Sequence, residues 1–266
     1  MNRALQESFP ISDRGTNRLI IERERSMRSE RVEGLPYFYS IHLNKSCNQS
    51  CIMCMPDGNH PRTLLPFETF VHMYEQFRRY AEHLTLIGGE PLLYPWITQV
   101  LELVARDPVA VTINTNATAL TEKLTRVLLT LHRLELKCSF DAATRNTYKQ
   151  IRGLDIFDRV MINIERFSKA ANSRPEIKLI FHYVVMRQNL EEVLPFVALM
   201  SRFRPYRLEF LPVRHVSNWQ VSNDTGWVFR GRDQCCEYSK DEYNDVMRRA
   251  AAACEANGLG YEVLYL

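Results

Sequence analysis

From residue 37 onward the chain alternates short runs rich in β-branched and aromatic residues with longer helical patterns, and this alternation constrains the fold more than any other feature. Strands are read near 37–43, 83–87, 109–114, 134–140, 177–185 and 206–212. Helices fall near 66–81, 95–107, 121–132, 156–172 and 190–203, with a last one near 240–257. Several helices carry start signals: Pro66 and Pro95 near first-turn positions, Thr121 ahead of an acidic first turn, and Asp155 before "IFDRVMINIERF". Repeated βα units with no strand-pairing hairpin predict a parallel sheet of about six strands, either an open twisted sheet or a barrel.

Side-chain parity separates the two. Strands buried on both faces read as continuous apolar runs, yet several here are polar on one side. Thr112 and Asn114, Lys137 and Ser139, Lys178 and His182, and Arg207 and Glu209 each sit two or four positions apart, on one face of their strand. Some of these charges could instead lie near strand ends and reach solvent. A closed eight-stranded barrel packs its interior with branched apolar side chains, whereas an incomplete, wider barrel leaves a lumen open to solvent or ligand. The expected fold is therefore α/β, a partial (β/α)6 TIM-type barrel.

A chain of 266 residues with 45% hydrophobic content can bury such a core. The organisation expected is an N-terminal extension over 1–36, a barrel core over 37–212, and a loop or flap with a terminal helix over 213–266. The longest apolar runs, such as "VLLTLHRL" and "FVALM", are too short to span a bilayer, so no membrane segment is expected. A net charge of +3, from 34 basic and 31 acidic residues, leaves no nucleic-acid footprint. The first 36 residues carry seven Arg interleaved with six acidic residues and lack an apolar core, unlike a signal or transit peptide, and the expected compartment is the cytosol.

Seven cysteines, clustered and odd in number, argue against a secreted disulfide framework and toward metal or redox chemistry. Cys47, Cys51 and Cys54 fall within eight positions directly after the first strand, on a β-to-α loop at the end of the barrel where such folds place active sites. Three thiolates can ligate a cubane iron–sulfur cluster at three irons and leave the fourth open for chemistry. The alternative is a zinc site completed by His42 or His60.

The Cys-x-x-x-Cys-x-x-Cys spacing after a first strand resembles the radical S-adenosylmethionine (radical SAM) superfamily, and "LIGGEPLLYP", residues 86–95, resembles its glycine-rich second-strand motif. "INTNAT" resembles the third-strand segment, and "CSFDAATRNTYKQIRG" resembles the fourth-strand "S-x-D" followed by "I-R-G". The match covers about residues 37 to 212. The resemblance implies a partial barrel of six βα units, a 4Fe–4S cluster on Cys47, Cys51 and Cys54, and S-adenosylmethionine chelating the open iron. It implies Gly88 and Gly89 for close backbone approach to the methionine end of that cofactor and Glu90 as acceptor for its ammonium. Ser139 and Arg152 become candidates for its carboxylate and Asn116 for its ribose. Met53 stands where relatives often carry an aromatic residue near the adenine, and a thioether can also pack on that ring. The implied chemistry is reductive cleavage to a 5′-deoxyadenosyl radical that abstracts hydrogen from a substrate, with ferredoxin or flavodoxin as electron donor. Peptide modification competes with dehydrogenation or epimerisation of a sugar-like metabolite. A non-catalytic iron–sulfur or zinc-binding protein is the alternative from another class.

The other cysteines divide. Cys138 lies on the strand face opposite Ser139 and is expected to pack under a helix, and Cys254 falls within a helical pattern. Residues 213–239 break the periodicity with Trp219, Gly226, Trp227 and Gly231. There Cys235 and Cys236 are candidates for donating a hydrogen atom to a substrate radical or binding an auxiliary cluster, or are an unligated pair. Relatives with a SPASM or twitch extension place auxiliary-cluster ligands beyond this point. No cysteine follows Cys254, so the chain either works without such an extension or is a truncated piece.

Overall fold

The expected strands pair in the order of the chain. β1 (Phe38–Asn44), β2 (His83–Gly88), β3 (Ala110–Thr115), β4 (Arg133–Ser139), β5 (Ile177–Val185) and β6 (Arg207–Pro212) lie side by side, each parallel to the next. Parallel βαβ crossovers are almost always right-handed, so a sheet wound in one direction collects its helices on one face and curls around the other. The structure is a computed structural model describing residues 13–54, 63–213, 220–222 and 228–266. His60, Trp219, Gly226 and Trp227 lie outside the described residues.

A seventh parallel strand, β9 (Gly260–Val263), extends the sheet beyond β6, and among the described residues β1 and β9 do not pair with each other, β1 carrying at its edge only an isolated bridge from Asn44 to Leu64, so the barrel does not close. The sequence reading stops at six strands because "GYEV" is short and opens on glycine. The segment after β6 also corrects the expectation of no hairpin: β7 (Gln220–Ser222) and β8 (Val228–Arg230) pair antiparallel. α8 (Gly231–Gln234) follows directly.

The helices on the outer face are α2 (Phe67–Phe77), α3 (Ile97–Val104), α4 (Glu122–Leu128), α6 (Phe157–Ala171), α7 (Val193–Ser201) and α9 (Lys240–Ala256). They bury Phe70, Val100, Leu128, Phe167, Phe196 and Met247 against the alternate strand residues Leu84, Leu86, Val111, Ile113, Leu134 and Leu136. Cys138 and Cys254 are fully buried in this core, the packing role their positions imply.

Besides the single turn of α8, two helices escaped the sequence reading. α1 (Arg14–Met27) carries few apolar residues and docks through polar contacts: Arg14 donates to the Ala81 and Arg78 carbonyls at 2.6 and 2.7 Å, and Arg18 pairs with Glu82 at 3.3 Å. Its start is capped by Asp13, which accepts from the Thr16 amide at 2.9 Å. α5 (Arg145–Arg152) is only two turns long, capped by Thr144 and terminated by Gly153 in the left-handed region at φ 76°.

The concave face is polar, as parity implies. Along β4, buried Leu134, Leu136 and Cys138 alternate with half-buried Glu135, Lys137 and Ser139. Lys137 on β4 reaches past β5 to Glu209 on β6 at 2.9 Å, and Arg207 pairs with Glu209 at 2.6 Å and Glu135 at 3.8 Å. Strands two apart are separated by about 10 Å, so a direct ion pair between β4 and β6 requires both side chains to converge across the concave surface.

Candidate functional site

The cysteine loop leaves β1 at Asn44 and carries three free thiols: Cys47 and Cys54 are exposed, Cys51 half-buried. Two of its sulfurs face donors, and the Cys51 thiol also donates to Gln49 Oε1 at 3.7 Å. The Gln49 amide and Asn116 Nδ2 lie 3.4 and 3.6 Å from Cys47 Sγ, and Arg152 Nη1 lies 3.5 Å from Cys51 Sγ. Burial pushes the Cys51 thiol up to about 11 against the pull of Arg152, and burial likewise raises Cys47. Among the described residues no three His, Cys, Asp or Glu side chains gather closely enough to hold a single ion.

The "GGE" turn after β2 is moulded to this loop. A Cβ on Gly89 would meet the Ser46 carbonyl, with the Ser46 carbon at 2.5 Å and the Lys45 carbonyl oxygen at 2.8 Å. A Cβ on Gly88 would meet Asn44, its Oδ1 at 2.6 Å. The place of each missing Cβ is therefore taken by the protein's own cysteine-loop side, and is not left open toward a ligand. The Gly89 and Glu90 amides then donate to Asn44 O at 3.0 Å and Ser46 O at 2.8 Å.

Glu90 is 1% exposed and ties the turn to the end of β3. Its Oε1 accepts from the Leu92 amide at 3.0 Å and Thr115 Oγ1 at 2.7 Å, and its Oε2 accepts from the Asn116 amide at 2.7 Å. A carboxylate offers about four acceptor positions, so roughly one remains for any ammonium. Burial raises its pKa against these three donors. Asn116, expected at a ribose, instead has both ends of its amide engaged: Nδ2 donates to Asn48 Oδ1 at 2.9 Å, and Oδ1 accepts from the Thr118 amide at 3.0 Å and its hydroxyl at 2.6 Å.

α5 and the loop before it form the opposite wall. Gln49 Nε2 donates to the Tyr148 hydroxyl at 2.8 Å, and the Ile52 amide donates to Ile151 O at 3.0 Å. Arg152, 5% exposed, pairs through Nη2 with the fully buried Asp141 carboxylate and donates through Nε to Phe140 O at 3.4 Å. Burial would discharge the guanidinium, but Asp141 and Cys51 outweigh it and lift its pKa above that of free arginine. All three nitrogens of Arg152 are thus engaged by protein, which leaves little of it for a cofactor carboxylate. Ala117 and Asp141 hold left-handed backbone at φ 58° and 62°, a cost of about 1–3 kcal/mol each that the surrounding contacts must carry.

Ser139 differs from these. It ends β4 on the concave face, half-buried, level with His182 across the sheet, and its hydroxyl has no partner among the described residues. His182 Nε2 is likewise buried without a partner, and burial lowers the His182 pKa. Met53 packs against the small apolar cluster of Ile52, Ile151, Met186 and Val213.

The structure divides Cys235 from Cys236. Cys235, 1% exposed, lies 3.8 Å from the carbonyl of Val213, a member of that same small cluster beneath the cysteine loop. Cys236 is fully buried in the main hydrophobic core, its thiol pushed up to about 12 by burial and by the neighbouring Cys235. His42 sits exposed on β1, on the parity of the concave face. A cavity of about 710 Å³ lined by Lys169, Arg174, Lys178, Arg202 and Tyr206 opens at the other end of the strands from the cysteine loop.

Asn48, Gln49, Thr115, Tyr148 and Asp141 were not singled out from sequence. Each acts through hydrogen bonds or ion pairs to residues distant in the sequence, and a single chain carries no signal for such pairs. Asp141 alone had one, as the acidic member of "S-x-D".

The profile of the Radical SAM superfamily matches residues 41–200. GTP 3′,8-cyclase of Haemophilus influenzae is 24% identical over 217 residues, 77% of this chain and 59% of the relative. The mycofactocin maturase MftC of Mycolicibacterium smegmatis is 24% identical over 176 residues, 65% of this chain and 44% of the relative. Among solved structures, Streptococcus suis SuiB bound to S-adenosylmethionine superposes with a TM-score of 0.71 at 14% identity, over 94% of this chain and 54% of SuiB. Native anSMEcpe with bound AdoMet and Cp18Cys peptide gives 0.64 at 16% identity, over 85% and 62%. The chain therefore spans 44% to 62% of the length of these relatives. With its profile matched over more than half the chain and its fold shared, the protein belongs to the radical SAM superfamily, whose cofactors are a 4Fe–4S cluster and S-adenosylmethionine.

Proposed function

We propose that this chain is the catalytic core of a radical SAM enzyme that acts on a peptide, with Cys47, Cys51 and Cys54 holding the cluster. The observation that carries the reading is the cysteine loop itself: three free thiols on one loop, two of them exposed, with N–H donors beside Cys47 and Cys51. The donor set fits an iron–sulfur cluster, which is held by thiolates on separate irons.

When bound and reduced, the cluster supplies one electron for cleavage of S-adenosylmethionine to a 5′-deoxyadenosyl radical, chemistry that belongs to the cofactors. The chain's own residues position and shield. Glu90, Asn116 and the two glycines fix the cysteine loop. Ser139 presents toward the concave face a hydroxyl that has no partner among the described residues, with Glu90 offering its remaining acceptor position. The paired charges Lys137, Glu209 and Arg207 below keep that face hydrated and receptive to a polar substrate. Cys235 is the better placed of the two thiols to return a hydrogen atom to a substrate radical.

The peptide reading is supported by the relatives named as maturases and by SuiB bound to precursor peptide SuiA. A polar small molecule is the second reading, supported by the charged concave face and by the GTP 3′,8-cyclase relatives. An electron donor of the ferredoxin or flavodoxin kind completes the proposal. The test is anaerobic reconstitution with S-adenosylmethionine and dithionite, with and without short peptides encoded beside this chain. Peptide-dependent 5′-deoxyadenosine and a mass change in the peptide support the first reading; 5′-deoxyadenosine indifferent to every such peptide sinks it.

A further inference from the structure

Residues 151–153, "IRG", form the shelf on which the cysteine loop rests. The Ile151 carbonyl accepts from the Ile52 amide at 3.0 Å, and the two isoleucine side chains share one apolar cluster. Gly153 lies so close to the loop that a Cβ would stand 3.0 Å from the Ser50 carbonyl oxygen. Between them Arg152 turns inward, with Nη1 3.5 Å from Cys51 Sγ.

An arginine presents five N–H groups in one rigid plane. Here two edges of that plane are pinned, one by the Phe140 carbonyl at 3.4 Å and one by the Asp141 carboxylate. Asp141 is itself fixed: it is fully buried and accepts from the Val184 amide at 2.7 Å. The remaining edge has one direction left to point, at Cys51. A cation placed this firmly against a thiol is a preset electrostatic element.

We propose that Arg152 sets the reduction potential of the cluster, donating an N–H···S hydrogen bond to Cys51 and holding a fixed positive charge beside it. This rests on the reading that Cys47, Cys51 and Cys54 hold that cluster. Reduction adds one electron to the cluster and transfers no atom, so the cluster becomes more negative by one charge. A cation beside its thiolate ligand stabilises the reduced form, and hydrogen bonds to sulfur act in the same direction. Arg152 is thus a tuning residue acting through Cys51.

The experiment is a dithionite-mediator titration of the full chain, reconstituted anaerobically and kept free of S-adenosylmethionine, followed by the electron paramagnetic resonance of the reduced cluster. Arg152→Gln is expected to shift the reduction equilibrium at least tenfold toward the oxidised form, 59 mV for a one-electron couple. Arg152→Lys keeps the charge but loses the rigid fork and is expected to shift it less, and it serves where the glutamine variant loads poorly. Asp141→Asn removes the opposing charge and is expected to move the potential upward. A purely structural role would move Arg152→Gln and Asp141→Asn in the same direction, and that result, or wild-type potentials in both, overturns the inference. A wild-type chain that takes up no iron–sulfur cluster overturns the reading of the site, and this inference with it.

Discussion

The tightest packing at the site is at Gly89, and its substitution by alanine measures how far the two sequence motifs depend on each other. No positive φ is involved, so the demand is for space alone. The new methyl would meet the Ser46 carbonyl, with the Ser46 carbon at 2.5 Å and the Lys45 carbonyl oxygen at 2.8 Å, all backbone atoms with no rotamer to swing away. Forced overpacking costs about 1–3 kcal/mol. The shift it demands would also stretch the Gly89 and Glu90 amide bonds to Asn44 O and Ser46 O, at about 1 kcal/mol each. The expected loss is about 3–5 kcal/mol. Gly258→Ala is the control: it imposes left-handed backbone at φ 65° with no atom within 4 Å of the new Cβ, and is expected to cost about 1–2 kcal/mol. Urea denaturation of both apo variants gives the stabilities, and iron content after anaerobic reconstitution gives the second readout. Gly89→Ala is expected to lose iron as well as stability, and Gly258→Ala only stability. A Gly89→Ala protein no less stable than Gly258→Ala, with wild-type iron, would refute the reasoning.

Three other outcomes are expected. Cys54→Ala removes an exposed thiol and should change stability by less than about 0.5 kcal/mol while abolishing iron loading; Cys236→Ala opens the core, costs about 1–2 kcal/mol, and leaves loading intact, both read by iron assay and denaturation. Glu209→Ala strips Lys137 and Arg207 of their shared partner and should cost about 2–3 kcal/mol, below the figure of about 3–5 kcal/mol for fully buried pairs because both cations are partly hydrated. The His182 pKa is lowered from 6.5 by burial, so the unfolded chain binds the proton more readily and stability falls as pH drops below that value. His182→Gln should flatten this part of the stability profile, and an unchanged slope between pH 6.5 and 5 would count against a neutral buried imidazole.

The sequence was most legible where one residue's surroundings are set by periodicity. Strand positions followed from alternation, because Leu134, Leu136 and Cys138 face the helices while Glu135, Lys137 and Ser139 do not. The polar concave face followed from the same argument. What escaped is what depends on partners distant in the chain. α1 is held by Arg14 and Arg18 reaching 64 residues or more along the sequence, so no apolar stripe announces it. The motif residues were found, but their partners were not. Gly88 and Gly89 make room for the cysteine loop, Asn116 bonds Asn48, and Arg152 faces Cys51 and Asp141. Each of these residues was read from a motif, which gives the residue type and not its neighbours within the protein. Cys235 and Cys236 look equivalent in sequence, yet a turn between α8 and α9 sends one toward Val213 and the other into the core.

The central claim is that Cys47, Cys51 and Cys54 together hold a four-iron cluster able to cleave S-adenosylmethionine. It is tested most directly by reconstituting the full chain anaerobically, counting iron and sulfide, and measuring 5′-deoxyadenosine after addition of S-adenosylmethionine and dithionite, alongside the triple Cys→Ala variant. About four irons and four sulfides per chain, with 5′-deoxyadenosine formed by the wild type and neither retained by the variant, is the expected result. Stoichiometric zinc without sulfide, or a variant that keeps its iron, would contradict it.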